Sequence, residues 1–308
     1  MSSAEEGRRP DAPATTATTA TTMFEHGDVV RVSVPARSTA GELRAIRIVW
    51  RREMIRFRSD PLRIVTSLVQ PFLFLFVLGS GLQQLAAAGT HGVNLKTFLY
   101  PGILCVSVMF TAMFSAASIV WDREFGFLRE MMVAPVRRSS LVIGKVLGGT
   151  TIACIQGIIV IAIAGLVHVP YDIPMLLGIF GVQVTLAFAV TSFGVMIAAR
   201  MKQMQSFMAI MQMIVTPLYF ISGALFPAQG LPRWLEILNR IDPIAYAVDP
   251  MRRLVFAHIP SSPLAHAELA KGITWWGWHV PSLVEVAMVL VIGLALLGVA
   301  IWEFSSTD

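Results

Sequence analysis

Charge is scarce in this chain. Asp, Glu, Lys and Arg make up 14% of its residues, where an ordinary soluble domain carries roughly 25%. With 55% hydrophobic residues, that shortage argues against a soluble globular protein and for the membrane class. Cysteine is nearly absent. Cys105 and Cys154 both lie inside apolar runs, which excludes a secreted disulfide framework and reads as small buried packing. Enzyme signatures are missing too, with no H-E-x-x-H and no G-x-S-x-G. There is no G-x-x-x-x-G-K-[ST] loop to cradle phosphates: Gly144-Lys145 is followed by Val146, without the upstream glycine. The six histidines, His26, His91, His168, His258, His266 and His279, are scattered, so no metal site is expected. His168, His258, His266 and His279 fall on one side of the topology derived below; ordinary interfacial histidines are the favoured reading over a metal site there. The arginines cluster beside apolar runs and not on a soluble face, which speaks against nucleic acid as a partner.

What is abundant is long apolar sequence. Six runs, roughly Ile64–Leu82, Phe98–Val120, Leu141–Val167, Ile173–Ala199, Phe207–Phe226 and Leu283–Trp302, approach or exceed the ~20 residues that cross ~30 Å of hydrocarbon as a helix. Lipid supplies no partners for an open backbone, so these runs are helices and not strands. Residues 1–38 are polar and Thr-rich and cannot bury a core. They are expected to be a disordered cytoplasmic arm without a cleavable signal peptide, and translation from Met23 is an alternative start. Residues 42–58 place Leu43, Ile46, Trp50, Met54 and Phe57 at helical spacing, with Arg44, Arg47, Arg51 and Arg58 on the other side. A basic amphipathic helix of this kind is expected to lie in the membrane interface against lipid headgroups, with Arg47, Trp50, Arg51 and Phe57 as its contacts. An ordinary surface helix is the alternative.

Lys and Arg gather before the first run, after the second (Arg123, Arg129, Arg137, Arg138) and after the fourth (Arg200, Lys202). This bias puts both termini in the cytoplasm, in a multi-pass protein of the cytoplasmic membrane. The outer segment 227–282 carries Arg233, Arg240, Arg252, Arg253 and Lys271, but long segments weigh little in that bias. Helical spacing of Trp234, Leu235, Leu238 and Ile241, broken at Asp242-Pro243, predicts short helices at or dipping into the outer leaflet, with Trp275, Trp276 and Trp278 as interface anchors.

The segment 121–136, from Trp121 through REFGFLREMMVAP, sits between the second and third runs. It is too charged for lipid and too apolar for a passive link. Phe125, Leu128 and Met132 share a helical face, ringed by Arg123, Glu124, Arg129 and Glu130; Gly126 leaves room for close approach, and Ala134-Pro135 stops the helix. An apolar anchor with a mixed-charge rim suits docking to another protein; a lid over the chain's own bundle is the alternative. Within the runs, Pro71 and Pro217 are expected to bend the first and fifth spans. Glu285 is an ionisable residue near the end of the last, either functional or merely interfacial.

Two stretches, REFGFLREMMVAPVRRSSLVIGK at 123–145 and SGALFPAQGLPRWLEILNRIDPIAYAVDPMR at 222–252, together with the order of parts, resemble the type-2 ABC exporter permeases of the daunorubicin/polyketide-antibiotic resistance group. The likeness covers about residue 40 to the end. It implies an all-α integral membrane fold and an efflux role for a hydrophobic or amphipathic antibiotic, drug or lipid. Residues 39–308 would form one transmembrane domain. It further implies two copies of a cytoplasmic ABC ATPase subunit as partners and a second permease copy, as homodimer or heterodimer. Helix 121–136 would be the coupling helix, with Arg123, Glu124, Phe125, Gly126, Phe127, Leu128, Arg129 and Glu130 meeting the ATPase. ATP and Mg belong to that partner, and no cofactor is expected on this chain. The resemblance places the first and fifth spans at the dimer interface, which makes Phe72, Phe74, Phe76, Tyr219 and Phe220 pathway candidates, with Glu285 beside them; helix packing or lipid contact is the alternative for each. Export of lipid-linked polysaccharide or glycolipid, or a membrane-embedded lipid-modifying enzyme, are the competing functions.

Overall fold

The computed structural model describes residues 38–86, 93–126, 136–226, 232–259, 272–275 and 278–306. Six helices among them are long and apolar enough to cross a membrane: Pro61–Gly81, Leu95–Glu124, Arg138–Ala162, Ile173–Arg200, Met204–Ile221 and Ser282–Ser306. The expected all-α membrane architecture is borne out. The only β structure among the described residues is a small hairpin pairing Thr274–Trp275 with Trp278–His279.

The N-terminal helix and the first two spans begin at side-chain caps. Ser38 Oγ accepts the Gly41 N–H at 3.1 Å and opens the N-terminal helix, Thr39–Arg58. Asp60 Oδ1 then accepts the Arg63 N–H at 3.0 Å, with Pro61 in the first helical position, and the chain turns into the first span. Asn94 caps the second span through the Lys96 N–H. The helices overrun the apolar runs at several ends, because polar residues such as Asp122 and Arg138 continue a helix once it leaves hydrocarbon.

Pro71 acts differently from a simple bend. It has no N–H to give to the preceding turn, and the helix widens just beyond it into a π turn over Leu73–Leu78. Pro217, by contrast, sits in a fifth span that stays α-helical from Met204 to Ile221.

The second span is the axis of the fold. Its apolar stretch is 89% buried, against 17% for the first span and 22% for the fifth and sixth. Phe98, Leu99, Tyr100, Leu104 and Met109 are fully enclosed, and the third and fourth spans pack on both sides. At Gly102 a Cβ would stand 2.0 Å from the Ala224 carbonyl oxygen, so only glycine admits the chain there. The first span leaves Leu62, Val65, Val69, Leu73 and Val77 exposed in one stripe. In a membrane protein such a stripe faces lipid or another chain.

On the far side, two short helices follow the fifth span, Arg233–Ile241 and Ala245–Ala257, as the sequence pattern suggested. The second is buried among the second, fourth and sixth spans. Asp242 Oδ1 accepts the Ile244 N–H at 2.9 Å and sets the turn between the two. Arg252 donates to the Gly223 carbonyl at 2.6 Å and lies 4.6 Å over the Phe98 ring. Arg253 pairs with Asp249 at 2.5 Å and Glu285 at 3.1 Å. Two of the cations that counted against the assigned orientation are thus spent on internal bonds.

Candidate functional site

The N-terminal helix does not turn its predicted apolar face to the protein. Its buried residues are Ala45, Val49 and Glu53, spaced by four, while Leu43 is exposed and Ile46, Trp50, Met54 and Phe57 are half-buried. The reason is close packing on the third span. Gly144 and Gly148 form a small-xxx-small notch. A Cβ at Gly144 would lie 2.8 Å from Val49 Cβ, and one at Gly148 2.9 Å from Glu53 Cβ. Trp50 Nε1 donates to Thr151 Oγ1 of the same span at 3.1 Å. Arg47 and Arg51 remain exposed, and Phe57 lines the cavity described below.

That packing brings three elements to one buried charge cluster. Lys145 of the third span donates to Glu53 of the N-terminal helix at 2.6 Å, to Asp122 at the end of the second span at 2.5 Å, and to Ser118 Oγ at 3.1 Å. All three charged side chains are at least 94% buried. Arg52 also bonds Asp122, and Arg56 stands 3.7 Å from it and 4.9 Å over the Trp121 ring. Charges this deep persist only when paired and hydrogen-bonded. Lys145 lies within an apolar run, and that was the one signal of the cluster; Glu53 and Asp122 carried none.

The same end of the bundle is tied at five more points. Glu42 accepts from the Arg137 N–H at 3.1 Å and from Ser140 Oγ at 2.5 Å, holding the N-terminal helix to the start of the third span. Arg138 donates to the Phe304 and Ser305 carbonyls, and Arg200 meets Glu303 at 2.7 Å. Arg123 donates to the Met201 carbonyl at 2.6 Å, and Glu124 accepts the Met204 N–H at 3.1 Å. Arg123 thus bonds the C-terminal end of the fourth span, and Glu124, itself exposed, caps the fifth. The segment 121–136 is not one separate helix: the second span runs to Glu124 and stops at Gly126, whose φ of +82° is the left-handed end that glycine serves best. Gly126 therefore serves the backbone geometry of this helix end. Phe125 beside it is 68% exposed. Phe127, Leu128, Arg129, Glu130 and the rest of 127–135 lie outside the described residues.

Beside the cluster a cavity of about 400 Å³ opens between the N-terminal helix and the first, second and fifth spans. Arg56, Asp60 and Arg63 stand in its lining with the hydroxyls of Thr66, Ser67, Ser107 and Thr111. Phe110, Phe114, Met204 and Met208 supply an apolar wall. Gln70, Pro71 and Ser107 continue into a narrow cleft that Phe74 and Tyr219 line. The rings there are 5.9 Å apart and edge-to-face, and Phe110 meets Tyr219 at 6.4 Å. These three aromatics close the cavity on that side.

Of the predicted pathway residues Phe74 and Tyr219 reach this route. Phe72 and Phe76 stack on each other at 5.7 Å away from it, and Phe220 is 51% exposed. Glu285 is fully buried and pairs with Arg253 of the Ala245–Ala257 helix at 3.1 Å, away from this cavity. Phe110 is the lining aromatic that the sequence did not single out, and beyond Pro71 the π turn sets Phe74 toward the cleft while Phe72 and Phe76 lie off it. His258 stands 3.7 Å from Asp172, and among the described residues no cluster of His, Cys, Asp and Glu has the geometry to hold a metal.

Comparison with known proteins agrees with this architecture. Residues 44–256 match the ABC-2 type transporter family. The chain is 26% identical over 212 residues to the putative transport permease ycf38 of Cyanophora paradoxa, covering 67% of this chain and 72% of that one. It is 27% identical over 244 residues to Nodulation protein J of Rhizobium leguminosarum bv. viciae, covering 78% and 92%. It is 26% identical over 213 residues to the inner membrane transport permease YadH of Escherichia coli (strain K12), covering 68% and 81%.

Proposed function

The chain belongs to the ABC-2 type transporter family, and from that premise we propose that it is the permease half of an exporter that moves hydrophobic or amphipathic compounds outward across the cytoplasmic membrane. The observation that carries this reading is the cavity between the first, second and fifth spans. It combines polar and aromatic walls at the end of the bundle that the Lys and Arg bias assigns to the cytoplasm. A pore for small ions would call for rings of charge or ordered carbonyls; a half-apolar chamber suits an amphiphile.

Two copies of the permease, alike or paired with a related chain, would bring the exposed stripe of the first span and the fifth span against each other. Two separate ATPase subunits would dock beneath, on Phe125 and the segment 127–135. The daunorubicin/polyketide-antibiotic group is the member class we favour, on the two stretches at 123–145 and 222–252. Both termini are placed in the cytoplasm.

The test is reconstitution of the chain in vesicles with the ATPase subunit that co-purifies with it. Export of a fluorescent fatty-acid analogue or an anthracycline should require ATP, and substrate should stimulate hydrolysis severalfold. Failure to recover any ATPase partner, together with no ATP-dependent movement of either compound, would overturn the reading.

A further inference from the structure

We propose that this cavity receives the anionic head of a single-chain amphiphile, a carboxylate or a phosphate, with Arg63 as its anchoring cation. The inference rests on the transport reading above and adds the charge of what is carried.

Three charged side chains line the cavity, and two are already engaged. Arg56 is drawn toward Asp122 and stacked over Trp121. Asp60 holds the Arg63 N–H as a helix cap. The Arg63 guanidinium itself has no hydrogen-bond or ion-pair partner among the described residues, although the residue is half-buried. A guanidinium that gives up hydration without gaining a partner is costly, and its planar fork matches a carboxylate or phosphate in a bidentate way.

Thr66, Ser107 and Thr111 each donate their hydroxyl proton to a backbone carbonyl of their own helix at 2.9 Å, and Ser67 Oγ lies 2.8 Å from the Ile64 carbonyl and 3.0 Å from Gln156 Oε1. With these protons engaged, the charge preference of the cavity rests on its charged side chains and on the Gln70 amide. Arg63 and the Gln70 amide are donors in the lining with no hydrogen-bond acceptor among the described residues, and they stand two turns apart on one face of the first span. An anion placed against that face meets both. A cationic head would be repelled by both Arg56 and Arg63, with Asp60 the one carboxylate of the lining to offset them. The tail would lie on the opposite wall, where Phe110 and Phe114 stack at 6.2 Å next to Met204 and Met208.

Binding can be measured on the full chain in phosphatidylcholine nanodiscs, with no ATPase present. Radiolabelled dodecyl phosphate and laurate should bind about tenfold more tightly than dodecanol and dodecyltrimethylammonium, the usual worth of a charge-assisted bond. Arg63→Gln should erase that preference and leave dodecanol binding within about twofold, while Arg63→Lys should keep most of it. Gln70→Met should weaken the anions about threefold, which keeps the idea open to refutation even where Arg63→Gln fails to fold. Displacement of the probe by phosphatidylglycerol in the disc supports the site with the bilayer as the source of its ligand; resistance to it supports a carried compound. Equal binding of all four probes, an unchanged preference in Arg63→Gln, or equal competition by inorganic phosphate alone would overturn the proposal. ATP-driven transport that persists in that event leaves the permease reading intact, so the two failures are distinguishable.

Discussion

At the scale of single residues, Lys145 and Asp242 make opposite demands. Lys145 is satisfied threefold, by Glu53, Asp122 and Ser118. Breaking a buried pair by removing one partner strands the other and costs about 3–5 kcal/mol. Lys145→Met should therefore lower the unfolding midpoint of the detergent-solubilised chain sharply, and adding Glu53→Gln should recover part of the loss. The buried free thiols Cys105 and Cys154 give the readout, through a thiol-reactive fluorophore on heating. Full additivity of the two substitutions would show that Lys145 and Glu53 are not coupled. Asp242 is under-satisfied: one oxygen accepts from Ile244, and the other has no partner among the described residues. Burial pushes its carboxyl from the usual 3.8 up to about 7, against the smaller opposing effect of the Ile244 N–H. The folded protein thus holds this proton more tightly than the unfolded chain does. The stability it contributes is complete below about pH 4 and is lost as pH rises through about 7, by about 4 kcal/mol at most. Asp242→Asn keeps the turn bond and should flatten that slope. An unfolding midpoint followed by tryptophan fluorescence from pH 4.5 to 8 checks it, and an unaltered slope in the variant would refute it.

At the scale of elements, the six spans were legible because each is an unbroken apolar run of membrane length, and nothing competes with a helix in lipid. What could not be read was which face each helix buries. In a soluble protein the apolar side is the inner side, but beside a membrane both sides are apolar surroundings of different kinds. The N-terminal helix shows the consequence. Its greasiest residues are left outside or half outside, and Ala45, Val49 and Glu53 go in because Gly144 and Gly148 leave a notch for them. The first span shows the same limit: Pro71 was visible, but the π turn that brings Phe74 inward and leaves Phe72 and Phe76 off the cavity was not. Gly144→Val should lift the N-terminal helix at a cost of about 1–3 kcal/mol, the usual range for overpacking. Amide exchange over residues 45–57 should then rise while the second span stays protected. Unchanged exchange would mean that the notch is not what docks the helix.

At the scale of the whole molecule, the bonds at one end of the bundle form a continuous frame. Asp122 sits one turn before Phe125 and joins the N-terminal helix to the third span, while Arg123 and Glu124 join the second span to the fourth and fifth. A push delivered near Phe125 is therefore felt at once by the N-terminal helix and by the spans that wall the cavity. Sequence reading marked this place as a docking element with Arg123 and Glu124 in its rim; a charge in a loop gives no sign of which helix end it will also cap. In the proposed reading the exposed Phe125 and residues 127–135 would meet the ATPase. Phe127→Ala and Glu130→Arg should each lower the amount of compound exported per ATP about tenfold in reconstituted vesicles, with membrane insertion unchanged. Asp122→Asn, which loosens the frame behind the contact, should lower the same ratio while leaving ATPase binding near normal. Wild-type export ratios in both loop variants would remove the segment from the transmission path, and loss of ATPase binding in Asp122→Asn would place that residue in the contact itself.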